Sequence, residues 1–188
     1  MPRHSFFSGL PYRDKIDLLA GGVPCPPFSI AGKQLGKNDE RDLFPEMLRL
    51  IKEINPRIVM IENVRGFLGK AFDSYRAAIL REIRNMGYTP HIKLLNASDY
   101  GVPQLRPRTI IVSIRKDIKD IFSFPYPSLG PKVTVADSIY DLIVAKGWKH
   151  ADEWRTKANK VAPTIVGGSK KHGGPDLGPT RAKREWSA

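Results

Sequence analysis

Four side chains in this sequence have types and positions that could do chemistry: Cys25, Glu62, Arg106 and Arg108. Cys25 is the only cysteine and stands in Gly21-Gly22-Val23-Pro24-Cys25-Pro26-Pro27-Phe28-Ser29. The two glycines let the backbone turn sharply, and the three prolines stiffen the loop around the sulfur and keep it out of a helix. A thiol on a rigid loop beyond a strand sits where α/β proteins place their reactive groups. The competing reading is a small buried hydrophobe. Glu62 opens Glu62-Asn63-Val64 at the end of an apolar run, and Arg106 and Arg108 stand in Gln104-Leu105-Arg106-Pro107-Arg108. Taken singly, these have bland readings too: a strand-end acid that caps a helix, and surface cations with no partner.

The elements that must position these groups follow from periodicity. A short apolar run at residues 16–20 predicts a buried parallel strand that ends in the Cys25 loop. Residues 29–41 are polar, with Gly32 and Gly36 as hinges and Lys33, Lys37 and Arg41 as cations. Such a loop suits closure over a phosphate backbone, or is an ordinary solvated connection. Asp42 is placed to cap a helix, Pro45 falls in its first turn, and Leu43, Phe44, Met47, Leu48, Ile51 and Ile54 recur at helical spacing. Residues 57–61 predict a second parallel strand. Phe72, Tyr75, Ile79, Ile83 and Met86 mark a second helix that stops at Gly87. Strands at 88–95 and 109–114 follow. The connection between them is too short for a crossover helix, which predicts an antiparallel pair. The alternation of strand and helix predicts an α/β class, half of a doubly wound sheet.

After about Arg115 the texture changes. Pro125, Pro127, Gly130 and Pro131 mark a linker, and residues 133–143 predict one short helix capped by Thr134. Residues 145–188 carry ten Lys and Arg against four acids and few core-forming positions, which suits a nucleic-acid-facing loop or a frayed tail.

Composition narrows the function classes. The 188 residues hold 31 Lys and Arg against 19 acids, a net charge of +12, which is the footprint of a polyanionic partner. No apolar run approaches a membrane span, the first residues lack the apolar core of a signal peptide, one cysteine makes no internal disulfide, and no Cys/His cluster has zinc spacing. The expectation is a protein of the cytoplasm with no membrane association and no metal.

The stretch from Gly21 to Ser29 resembles the nucleophile motif of the C5-cytosine DNA methyltransferases. Its flanks, Asp17-Leu18-Leu19-Ala20 and Ala31-Gly32-Lys33-Gln34, look like the bacterial members. Glu62-Asn63-Val64 and Gln104-x-Arg106-x-Arg108 match the family's next two catalytic motifs in the correct order, and residues 95–103 are also similar. The chemistry accounts for the combination. Carbon 5 of cytosine is too weak a nucleophile to attack a methyl donor until a thiolate adds at C6. The addition needs a proton or strong hydrogen bond at N3 and a cation beside O2, and the base must first leave the duplex. The resemblance therefore implies that Cys25 is the nucleophile and Glu62 the N3 partner, with Arg108 and Arg106 on O2 and a phosphate. It further implies that Asn63 holds the Cys25 loop, that Ser29, Lys33, Arg41 and Gln104 face DNA, and that Pro24 and Leu43 line the S-adenosyl-L-methionine pocket. Pro26 and Leu105 depart from the family's usual polar residues at their positions without removing any of these groups.

By the same resemblance, residues 1–115 are a partial Rossmann-like methyltransferase sheet with helices on its faces. Residues 116–188 are a linker and the start of a target-recognition region. The family's Gly-rich cofactor loop and its closing Asn-Ala-Val-type segment have no match in these 188 residues. The expectation is a truncated, split or decayed enzyme, inactive by itself, that acts on double-stranded DNA in a restriction-modification system and is completed by a polypeptide carrying the missing motifs. The competing functions are an inactive nucleic-acid-binding fragment and a tRNA cytosine-5 methyltransferase relative.

Overall fold

Sheet and helix signals alternate along the chain, and the computed structural model, which describes residues 7–24, 42–119, 122–145 and 147–164, builds them into a four-stranded sheet. The strands are β1 (Leu18–Gly22), β2 (Ile58–Val64), β3 (Tyr88–Asn96) and β4 (Pro107–Arg115), and the helices are α1 (Phe44–Ile54), α2 (Asp73–Asn85), α3 (Val135–Val144) and α4 (Ala151–Ala158). The sheet order is β1-β2-β4-β3. β1 runs parallel to β2 with Leu18 opposite Ile58 and Gly22 opposite Glu62. β2 runs antiparallel to β4 with Ile58 opposite Ile114 and Val64 opposite Arg108. β3 and β4 are bracketed by the Ala97 N–H on the Arg106 carbonyl (3.2 Å) and the Lys116 N–H on the Gly87 carbonyl (2.9 Å). That pairing of near ends with near ends is antiparallel, and the return passes through the single 3-10 turn Ala97–Tyr100.

β1 is displaced from the expected 16–20. The Ile16 and Asp17 carbonyls still accept the Arg57 and Ile58 N–H groups (3.2 and 2.8 Å), but the strand proper starts at Leu18 and continues through both glycines. A ladder is made of backbone groups, so glycine can extend it where the partner strand continues.

Alternation along β2 sends Val59, Ile61 and Asn63 to one face and Ile58, Met60, Glu62 and Val64 to the other. The first face carries the core, where Val59, Ile61 and Ile111 meet Phe44, Met47 and Ile51 of α1 and Ile79 and Ile83 of α2. Phe44 stacks on Phe67 at 5.2 Å and meets the Tyr75 ring edge-on at 5.8 Å. Each such buried side chain contributes about 1.5–3 kcal/mol, which is what holds the helices on this face. Val59 is fully buried, while Leu18 on the opposite face is 50% exposed. The period-2 rule separates Val59 from Ile58 where a run of apolar residues does not.

α1 starts one residue later than a cap at Asp42 predicts, with Leu43 as its N-cap. The Asp42 carboxylate nevertheless accepts the Phe44 N–H at 3.0 Å and a hydrogen bond from the Tyr75 hydroxyl. Asn55, in the left-handed region at φ 50°, closes the helix before Pro56. The Tyr88 hydroxyl donates to the Pro56 carbonyl at 2.7 Å and so fixes the entry to β2. Burial pushes that phenol up to about 12, and it stays a donor at all physiological pH.

The described residues fall into two compact units, one built from residues up to Leu94 and from Arg108–Phe124, the other from Leu95–Pro107 and residues from Pro125 onward. In the second, Thr134 and Asp137 form a reciprocal capping box that starts α3. The stretch expected to be irregular contains α4. Ala151, Trp154 and Ala158 recur on one helical face, and Trp154 and Ala158 pack with Ala136. A basic composition hid a three-residue apolar stripe that suffices for two turns of helix. Among the described residues no helix is long and apolar enough to cross a membrane, and no group of His, Cys, Asp and Glu could hold a metal ion.

Ser113, opposite Val59 in the core, is completely buried, and its hydroxyl has no hydrogen-bond partner among the described residues. A buried unpaired hydroxyl costs about 1–3 kcal/mol. Ser113→Ala removes it at the expense of a small void, so the variant should be as stable as the parent or more stable by up to about 1 kcal/mol. Equilibrium denaturation checks this, and a loss above 1 kcal/mol would show that the hydroxyl is satisfied in solution.

Candidate active site

The face of the sheet opposite α1 and α2 carries the titratable groups. Because Val64 stands opposite Arg108 and Glu62 opposite Ile110, Glu62 and Arg108 are diagonal neighbours on that face. Their side chains meet with the Arg108 Nε 2.6 Å from the Glu62 Oε1. Both remain open to solvent, at 39% for Glu62 and 21% for Arg108. The other carboxylate oxygen lies toward Gly22, whose missing Cβ would stand 3.5 Å from Oε2. Gly22 thus keeps the space beside the carboxylate clear, and any larger side chain there would occupy it. The ion pair fixes one oxygen and leaves the other directed at the end of the strand that leads to Cys25.

Asn63 points the other way and is 2% exposed. Its Nδ2 donates to the Val23 carbonyl at 3.0 Å, and its Oδ1 accepts the Val64 N–H at 2.8 Å. Thr109, directly opposite Asn63, donates its hydroxyl to the Val64 carbonyl at 3.2 Å. These bonds fix the end of β2 and pin the backbone two residues before Cys25. Val23 itself is buried in the core.

Cys25, Ser29, Lys33 and Arg41 lie outside the described residues. Pro24 is exposed just past the β1 terminus, and Leu43 is 47% exposed at the start of α1. Each offers an uncovered apolar surface. Gln104 and Arg106 belong to the second unit. Gln104 forms a parallel bridge with Ala162, and the Arg106 N–H donates to the Asn96 Oδ1 at 2.9 Å while its side chain is exposed. The structure therefore brings Glu62 to Arg108 and Asn63 to the root of the Cys25 loop, and it holds the Arg106 turn from Asn96. From the sequence, Gly22 has a turn role rather than a place beside the Glu62 carboxylate, and Asn96 and Thr109 have no role at the site. The signal available was their position at strand ends flanking the chemical residues.

The comparisons with known proteins agree on a single family. Residues 6–183 match the model of the C-5 cytosine-specific DNA methylases. The chain is 54% identical over 172 residues to the Type II methyltransferase M.NaeI of Lentzea aerocolonigenes, covering 92% of this chain and 41% of that protein. It is 51% identical over 160 residues to the Type II methyltransferase M.NgoMIV of Neisseria gonorrhoeae, covering 85% of this chain and 51% of that protein. The chain thus spans about two fifths to one half of the length of these relatives. Among solved structures it is similar to one described as a DNA modification methyltransferase encoded within an E. coli prophage, at TM-score 0.56 and 29% identity, over 66% of this chain and 34% of that one. With a match over nearly its whole length and the α/β sheet that its motifs imply, the chain belongs to the C-5 cytosine-specific DNA methylase family.

Proposed function

We propose that this chain carries the nucleophile half of a DNA (cytosine-5-)-methyltransferase that acts on a cytosine flipped out of double-stranded DNA, in a restriction-modification system of the bacterial cytoplasm. The observation that carries the reading is the Glu62–Arg108 pair, open to solvent and beside the strand that leads to Cys25. The Cys25 thiolate forms the S–C6 bond, and the C5–C6 π electrons are pushed toward C5 and N3. Glu62 delivers a proton or a strong hydrogen bond to N3, and Arg108 stabilises the charge on O2. Arg106, Ser29, Lys33, Arg41 and Gln104 hold the DNA, and Asn63 keeps the loop root in place through Val23. S-adenosyl-L-methionine supplies the methyl group when bound, with Pro24 and Leu43 against it. Once C5 is methylated, its remaining proton leaves to a base and the S–C6 pair departs with Cys25, which restores the C5–C6 double bond. Double-stranded DNA is favoured over tRNA by the two Type II relatives above 50% identity.

We further propose that a polypeptide carrying the family's Gly-rich cofactor loop, which has no match in these 188 residues, completes the cofactor site. The test is incorporation of labelled methyl into duplex DNA at saturating cofactor, by the 188-residue chain alone and with a polypeptide that carries a Gly-rich cofactor loop of this family. Label on cytosine C5 in the combined reaction is expected. Label from the chain alone would keep the chemistry and overturn the need for added polypeptide. Binding to DNA with no label in either reaction would overturn the enzymatic reading.

A further inference from the structure

The turn that carries Arg106 is held from both sides. On one side Asn96 accepts the Arg106 N–H and the Ala97 N–H donates to the Arg106 carbonyl. On the other, residues 162–164 lie along it as an extended segment joined by the parallel bridge of Ala162 to Gln104, called here a positioning strand. The Ala162 N–H donates to the Pro103 carbonyl (2.9 Å), the Leu105 N–H donates to the Ala162 carbonyl (2.7 Å), and the Thr164 hydroxyl donates to the Leu105 carbonyl. This strand is itself anchored. The Val135 N–H at the start of α3 donates to the Lys160 carbonyl (3.0 Å), immediately after α4. Every backbone polar group of Leu105 is thereby engaged, and the residue next to it is Arg106. A peptide held by bonds on both flanks has little freedom to rotate, and the direction of the side chain that follows is set with it.

We propose that residues 162–164, with Thr164 as the outermost bond, form a positioning strand that aims Arg106 at the DNA backbone. The inference rests on the reading of Arg106 as a DNA contact, and the experiment separates the two.

Duplex DNA affinity of the 188-residue chain is measured as a function of salt for the parent and for Arg106→Ala, Thr164→Val, Thr164→Ser and Ala162→Pro. Each phosphate contact contributes about 0.9 to the slope of log K against log salt. Arg106→Ala should reduce the slope by about one. Thr164→Val, which keeps shape and loses the hydroxyl, should reduce it by a similar amount, and Thr164→Ser should restore it. Ala162→Pro removes the N–H that reaches Pro103 and should match Thr164→Val. A purely structural strand would lower the melting midpoint in Thr164→Val and Ala162→Pro and leave the slope at the parent value, which overturns the proposal. An unchanged slope in Arg106→Ala would overturn the reading of Arg106 itself, and the proposal with it.

Discussion

Cys25→Ser, made in protein that methylates DNA, should lower turnover by roughly four orders of magnitude or more, the scale reached when a nucleophile is removed from an otherwise intact site. The reason is chemical. An alcohol ionises far less readily than a thiol and is the weaker nucleophile, and without the S–C6 bond the cytosine C5 never becomes electron-rich. The root of the loop is held by Asn63 on the Val23 carbonyl, a contact the substitution does not touch. Affinity for duplex DNA should therefore stay within about twofold, because phosphate contacts and not the sulfur carry it. Methyl incorporation and a binding titration on one preparation decide the matter. Turnover above a hundredth of the parent's would remove Cys25 from the role of nucleophile.

Glu62→Gln should be the next most damaging change, with a loss of about 10²–10⁴-fold in turnover, the range of a removed general acid. Glutamine keeps the length and can still accept one hydrogen bond from Arg108, but it cannot deliver a proton to N3. Arg108→Lys keeps the positive charge and gives up the planar fork that reaches a carboxylate and a carbonyl together, so it should also lower turnover. The two groups are in direct contact at 2.6 Å, so the double variant should lose much less than the product of the single effects. Stability should hardly register either change. A pair this open to solvent contributes at most about 1 kcal/mol to folding. A Glu62→Gln variant within tenfold of the parent, with an unaltered melting curve, would place the acid elsewhere.

Much of the fold was legible because periodicity is a local property. The β-branched residues of β4 and the helical spacing of Phe44, Met47 and Ile51 predict their elements directly. The antiparallel return of β3 to β4 followed from chain length alone. What tertiary pairing decides was less legible. β1 is drawn through Gly21 and Gly22 by its register with Ile61 and Glu62, against the intrinsic preference of glycine. α4 depends on Trp154 finding Ala136, a contact that a basic composition does not advertise. At the site, residue type and order pointed to Glu62 and Arg108, but that they touch follows from the β2–β4 register, which no local pattern specifies. The segment at residues 162–164 was invisible for the same reason: its two backbone bonds and its one hydroxyl bond all reach a turn almost sixty positions away.

The register of β1 on β2 also bears on the order in which the chain assembles. Leu18 pairs with Ile58 across forty positions, and Ile58 with Ile114 across a still longer interval, whereas β3 and β4 are joined by one short turn. Closing a loop costs about 0.6 kcal/mol more for each doubling of its length, and distant pairings are correspondingly late in folding. The β3–β4 hairpin can form on its own account, but the pairings that bring Glu62 to Arg108 and set Gly22 beside them are the long ones. In a refolding experiment, secondary structure should therefore recover before the Glu62–Arg108 pairing does.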